Sequence, residues 1–96
     1  MHNLKDSGTD AMLEAVLTLE NVEECYRFFA DLCTVKELKS MAQRYVVAKM
    51  LFEHKVYSDI VAETGASTAT ISRVNRSLSY GEDGYEMVFG RLNGQD

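Results

Sequence analysis

The chain has 96 residues, enough for one small domain that buries only about 60–65% of the surface its unfolded chain exposes. It contains 46% apolar residues and no proline, a composition typical of a globular helical protein and not of a disordered one. No apolar run approaches the ~20 residues of a membrane span and residues 1–10 lack an apolar signal core, so we expect a cytoplasmic protein with no membrane partner.

Apolar spacing predicts an all-α fold of about six helices. The first is expected over Asp10–Glu20, with Thr9 or Asp10 as its cap. The second opens at Asn21, where Glu24 three residues later resembles a capping box. Apolar side chains surround much of this second helix: Val22, Cys25, Tyr26, Phe28, Phe29, Leu32 and Cys33. So much apolar surface in a small chain predicts a homodimer.

Thr34 and Glu37 repeat the capping pattern and open the longest helix, which is expected to run to about Glu53. Helical spacing predicts that one set of its side chains packs inward. This set is Val35, Leu38, Met41, Ala42, Tyr45, Val46, Ala48, Leu51 and Phe52. The two cysteines, eight residues apart, are expected to be small buried apolar groups, because about 12 Å of helix rise prevents a bridge between them.

Residues 57–78 have the pattern of a helix-turn-helix. Ile60, Val61 and Thr64 would share one side of a short helix, Gly65 suits a turn with φ > 0, and Ser67 suits the cap of a second helix. Helical spacing then separates two sets of side chains. The inward set is Ala66, Ile71, Val74 and Leu78. The outward set is Ser67, Thr68, Ala69, Ser72, Arg73 and Arg76.

The outward set suits the major groove of double-stranded DNA. Its first members are short hydrogen-bonding side chains, which fit near base edges, and its last are Arg73 and Arg76, which fit near phosphates. Two short helices linked by a glycine also occur as ordinary packing, and an exposed Ser/Thr-rich helix can simply be solvated. We favour DNA binding because the central glycine, the inward apolar residues and the outward arginines coincide.

Charge is distributed unevenly along the chain. Residues 1–33 carry a net −5, residues 34–80 hold seven cations and four acids for a net +3, and residues 81–96 carry −3. The total of −5 opposes DNA binding, whereas the basic segment surrounds the helix-turn-helix. We therefore expect a modest, strongly salt-dependent affinity for DNA.

After a loop over residues 79–84, a last short helix is expected with Tyr85, Met87, Val88, Phe89 and Leu92.

Four stretches carry a resemblance to a known family: Thr34-x-x-Glu37, Gln43-Arg44, Gly65-Ala66-x-x-Ala69-Thr70-Ile71-Ser72-Arg73 and Asn75-x-Ser77-Leu78. In these the chain resembles the Trp repressor superfamily, and is most similar to its Trp-repressor-related YerC/YecD-type proteins. The match covers roughly residues 10–92. It implies one domain over residues 1–96, an intertwined homodimer with dimerisation helices at about 10–53 and 84–93, and a transcriptional regulator that acts as a repressor.

The resemblance also implies roles for individual residues. The base-facing positions of the second helix fall on Thr68, Ala69 and Ser72, and the preceding helix contributes Ser58. The repressor carries a guanine-reading arginine at the position of Ser58. Losing a bidentate guanine contact removes ~1–3 kcal/mol of discrimination, so we expect poor reading of the trp operator.

A possible effector pocket follows from the same resemblance. Thr34, Arg44, Arg73 and Ser77 match positions that hold tryptophan in the repressor, whereas Val74 replaces a glycine beside the indole. Overpacking of a tight site costs ~1–3 kcal/mol or more, so we expect that tryptophan is not the corepressor. Alternatively, the two arginines pair with acids such as Glu37 or reach phosphates.

The sequence shows no pattern for catalysis, for a metal site or for a cofactor. The cysteines and histidines lack ligand-spaced neighbours, and there is no glycine-rich phosphate loop. We therefore expect no enzyme and no cofactor. A second hypothesis is a helical protein-interaction or dimerisation module that does not bind DNA specifically, which Asp59 and Glu63 beside the expected phosphate path keep open.

Overall fold

The computed structural model describes residues 4–94, which form six α-helices and no strand, as the sequence predicts. The helices are α1 Ser7–Val16, α2 Val22–Leu32, α3 Val35–Phe52, α4 Tyr57–Thr64, α5 Thr68–Tyr80 and α6 Gly84–Leu92. Backbone contacts divide the chain after Leu38 into an N-terminal and a C-terminal unit. The single domain over residues 1–96 stays a prediction. None of the described helices is both long enough and apolar enough to cross a membrane.

The predicted position of the first helix was wrong. Its cap is Asp6, whose Oδ1 accepts a hydrogen bond from the Thr9 backbone N–H at 2.7 Å, so α1 starts at Ser7. Asp caps a helix as well as Thr does, and it stands three residues earlier in the chain. The helix ends at Val16 because the N–H groups of Thr18 and Leu19 turn back to carbonyls only three residues behind them.

The caps of the next two helices are confirmed. Asn21 Oδ1 accepts from the Glu24 N–H at 2.9 Å, although Glu24 reaches back to the N–H of Glu20 and not to that of Asn21. Thr34 and Glu37 form the full reciprocal box, at 3.1 Å and 2.8 Å. The bond from the Thr34 N–H lowers the pKa of Glu37. This stabilisation is present above the ordinary pKa of a glutamate and is lost as the pH falls through the lowered value.

The N-terminal unit leaves most of its apolar side chains exposed or half-buried. None of its residues from 4 to 38 is fully buried, and Leu17, Val22 and Tyr26 are 84%, 70% and 65% exposed. The two cysteines are free thiols and half-buried, not buried as predicted. Cys33 also caps the end of α2 and does not lie within it.

The core of the C-terminal unit consists of eight buried side chains from α3 to α6. They are Val47, Ala48, Met50, Ile60, Ala66, Ile71, Val74 and Phe89. Ala66, Ile71 and Val74 confirm the inward set of the second helix-turn-helix helix, with Leu78 half-buried against them. Of the residues expected to share one side of α4, Ile60 is buried, whereas Val61 is 39% exposed.

The predicted inward face of α3 was largely wrong. Val35, Met41, Val46 and Phe52 are exposed, whereas Val47 and Met50, absent from the prediction, are buried. Residues 45–52 are apolar on nearly every side of the helix, so periodicity cannot select a face there. The loop predicted to begin at residue 79 was also misplaced, because α5 continues to Tyr80.

We expect Gly65→Ala to destabilise the protein by about 1–2 kcal/mol, because Gly65 has φ 71°, which a residue with a Cβ resists. Gly90→Ala is the matched control, because Gly90 lies inside α6 with open space where a Cβ would be. It should stabilise by about 0.5–1 kcal/mol. Denaturant unfolding measures the change in unfolding free energy for both variants. Equal changes would contradict the requirement for a glycine at the turn.

Candidate nucleic-acid interface

The turn between α4 and α5 is held by Gly65 and by the hydroxyl of Thr64. Gly65 adopts the left-handed conformation at φ 71°, ψ 7°, and its N–H donates to the Val61 carbonyl at 2.9 Å. Thr64 Oγ1 donates to the Ile60 carbonyl at 2.7 Å and accepts from the Ala66 N–H at 3.1 Å. The Thr64 side chain thus links the last turn of α4 to Ala66, which lies just before α5.

Ser67 caps α5 as the sequence predicts. Its Oγ accepts from the Thr70 N–H at 3.1 Å and donates to Thr70 Oγ1 at 3.1 Å. The hydroxyl proton and one lone pair are therefore used within the helix start. Ser67 thus sets the beginning of the helix, and its hydroxyl has little capacity left to contact a base.

The remaining outward residues form an exposed stripe along α5. Thr68, Ala69, Ser72, Arg73 and Arg76 are all exposed, and their spacing of three and four residues places them in one continuous row. Within residues 4–94, neither arginine has a carboxylate within ion-pair distance. Both guanidinium groups can therefore meet an external anion without first breaking an ion pair.

The short helix α4 presents Ser58 and two acids. Ser58 and Asp59 are exposed in its first turn. Glu63 lies one turn later and lines a groove of about 330 Å³ together with Lys39 of α3. The cation lining the same groove offsets the negative charge of Glu63 there.

Sequence reasoning missed a polar link between α3 and α4. Gln43 Nε2 donates to the carbonyl oxygen of Thr64 at 3.0 Å, in a half-buried position. The two residues stand 21 positions apart, and nothing in one sequence pairs a particular glutamine with a particular carbonyl. Gln43 lies among other polar residues in the first half of α3, so its sequence neighbours gave no signal for the bond.

The family of the chain follows from comparison with known proteins. The family model of the Trp repressor protein matches residues 7–93. The chain belongs to the Trp repressor family. This confirms the resemblance inferred from the sequence, and the family is one of regulators and not of enzymes.

Individual relatives agree over nearly the whole length. The chain is 54% identical over 89 residues to the uncharacterized protein YerC of Bacillus subtilis (strain 168), covering 93% of this chain and 86% of that protein. The crystal structure of a TrpR like protein from Eubacterium eligens ATCC 27750 has a TM-score of 0.93 and 52% identity, covering 100% and 99% of the two chains. For a candidate Trp repressor from Staphylococcus aureus the TM-score is 0.92 with 53% identity, covering 96% and 92%.

The effector residues implied by the family resemblance occupy different settings. Thr34 belongs to the N-terminal unit, where its hydroxyl accepts from the Glu37 N–H. Arg44 and Arg73 are exposed, and neither pairs with an acid among the residues described, so the alternative of pairing with acids such as Glu37 is not seen there, and their contact with phosphates stays a prediction. Ser77 lines a groove of about 540 Å³ that includes none of the other four residues.

Val74 is 2% exposed and belongs to the core of the C-terminal unit. Its side chain is thus closely packed in the core and is not a surface side chain that could move aside easily. A planar ring placed at Val74 would have to displace a packed side chain. This burial supports the expectation that tryptophan binds poorly here.

We expect millimolar L-tryptophan to leave the melting transition unmoved. A ligand that binds only the folded state at a hundredfold excess over its Kd would stabilise by about 2.7 kcal/mol, which thermal unfolding detects readily. Val74→Gly and Val74→Ala remove the branch that we expect to block the ring, and the alanine variant avoids the cost of ~1 kcal/mol for a glycine within a helix. Micromolar tryptophan binding to the unmodified protein in calorimetry would contradict the steric explanation.

Proposed function

We propose that this protein is a sequence-specific DNA-binding transcriptional regulator, a repressor, that acts as a cytoplasmic homodimer through its helix-turn-helix. The exposed row on α5 is the observation on which this proposal rests. Short polar side chains at Thr68 and Ser72 precede Arg73 and Arg76, and none of the four is buried. This order fits a helix whose N-terminal part contacts base edges while its later part passes the backbone.

The charge pattern supports the same proposal. Residues 34–80, which contain α4 and α5, carry a net +3 in a protein of net −5. One of their seven cations, Lys49, is used in an ion pair with Glu53 at 3.3 Å. A local basic surface attracts phosphates even when the whole molecule is acidic, since charges farther than about 8 Å are screened at physiological salt.

Exposed apolar side chains support the homodimer. Many large apolar residues of both units are at least 38% exposed, including Leu13, Leu17, Tyr26, Val46 and Met87. A soluble monomer rarely exposes so many large apolar side chains, so we expect that a second copy of the chain buries them in a dimer interface. A two-fold dimer would also place two α5 helices in successive major grooves about 34–36 Å apart.

A protein-interaction module without specific DNA binding is the alternative function. The exposed acids Asp59 and Glu63 on α4 favour it, because a carboxylate beside a phosphate path is repulsive. Binding of random duplex DNA that weakens steeply with salt would show that the protein contacts phosphates, and preference for one duplex over a scrambled one would exclude this alternative. If the same titration detects no DNA binding at low salt, the proposed DNA-binding function is excluded.

We expect Arg73→Ala and Arg76→Ala each to weaken binding to every duplex sequence and to reduce the salt slope by about one unit, because each loses one phosphate contact. Ser72→Ala and Thr68→Ala should instead change which sequences are preferred. Lys5→Ala removes the same charge from the acidic N-terminal segment and serves as the matched control. Titrations across a salt series in which all three charge variants behave alike would contradict the proposed role of α5.

We also expect thermal stability to rise with protein concentration, because the folded state is coupled to dimer formation. Tyr26→Glu, at a position 65% exposed in the single chain, should lower the melting temperature and enrich the monomer. Glu23→Gln on the same helix is the control and should do neither. Light scattering that shows a stable wild-type monomer at micromolar concentration would contradict the dimer.

A further inference from the structure

The bond between Gln43 and Thr64 differs from the other side-chain hydrogen bonds around the turn. Those of Thr64 Oγ1 and Ser67 Oγ join residues two to four positions apart, so they shape only the local backbone. The Gln43 amide reaches from the long helix α3 to the last residue of α4, a separation of 21 positions. It therefore ties the helix-turn-helix to a different element of the fold.

The acceptor of this bond is a carbonyl that has no other partner at the turn. Thr64 ends α4, and the chain leaves the helical path at Gly65, so no backbone N–H among residues 4–94 follows to donate to it. Carbonyls at helix ends need a partner from a side chain, from water or from a capping turn. Gln43 supplies that partner at 3.0 Å.

The turn between α4 and α5 is thus held by bonds of two kinds, one within the turn and one to α3. The Thr64 hydroxyl fixes the internal shape of the turn through Ile60 and Ala66. Gln43 fixes where the end of α4 lies relative to α3, within the same C-terminal unit. The position from which α5 departs depends on both.

We infer that Gln43 is a positioning residue for DNA reading: its amide holds the end of α4 so that the exposed row on α5 meets the base edges in register. This inference rests on the proposed function. Groups that read bases by hydrogen bonds must be placed to about 0.5 Å, whereas attraction to phosphates tolerates a looser fit. Loss of the bond therefore affects discrimination between sequences more than it affects general affinity.

The surroundings of the bond allow it to be removed without unfolding the protein. Gln43 is half-buried in a groove of about 330 Å³ that is also lined by Lys39, Ala42 and Val46. An open groove admits water, which can satisfy the Thr64 carbonyl once the amide is gone. Gln43→Met keeps the length of the side chain and removes the donor, and Gln43→Glu keeps its shape and places an acceptor against the carbonyl.

The first measurement is amide hydrogen exchange on the full chain, which does not depend on DNA. In both Gln43 variants the N–H groups of Gly65 and Ala66 should exchange about fivefold faster or more relative to that of Phe89 in α6, since one hydrogen bond contributes about 1 kcal/mol. Lys39 lines the same groove, so Lys39→Met is the matched control and should leave this ratio of exchange rates unchanged. No change in the ratio, or equal acceleration at all amides, would overturn the positioning role.

The second measurement compares two duplexes, one selected by the wild-type protein from a random pool and one of scrambled sequence. Gln43→Met should lower the ratio of the two affinities about fivefold and leave the salt slope as in the wild type. Lys39→Met should leave the ratio intact even if it weakens both duplexes equally. An intact ratio in the Gln43 variants would overturn the inference. If the wild type selects no sequence, the proposed function fails, and the exchange measurement alone decides whether Gln43 holds the turn.

Discussion

The left-handed backbone at Gly65 is the constraint on which the exposed face of α5 depends. At φ 71° the chain leaves the path of α4, and Ile60 and Ala66 lie together with Ile71 and Val74 in one core. Burial of these four side chains leaves the opposite side of α5 in solvent. The packing of a few aliphatic groups therefore decides which side chains are available to a partner, before any charge is considered.

The same packing bears on the effector. Within the Trp repressor family this chain has a valine, 2% exposed, at a position that the resemblance assigns to a glycine beside the indole. The branch completes the core, and we expect it to occupy the space that an indole ring would need, so one side chain would account both for stability and for weak tryptophan binding. Arg44, Arg73 and Ser77 remain exposed, and the groove lined by Ser77 includes neither arginine.

Local features of the fold could be predicted from the sequence, and non-local ones could not. The box of Thr34 and Glu37 was predictable because both partners lie within four residues, where chain geometry alone brings them together. The start of α1 was misplaced because Asp6 competes with Thr9 for the same role. The buried face of α3 and the bond of Gln43 depend on where α4 lies in space, and apolar periodicity does not contain that information.

Recovery of bound fragments from a genomic DNA pool by the purified protein, followed by footprinting of the enriched sites, tests the regulator most directly. A dimer that reads DNA through α5 should enrich a small set of sites with two-fold symmetry. Protection should fall in two major grooves about one helical turn apart, 10–10.5 base pairs from centre to centre. Uniform recovery of all fragments, or protection of a single continuous segment without symmetry, would contradict sequence-specific regulation by a homodimer.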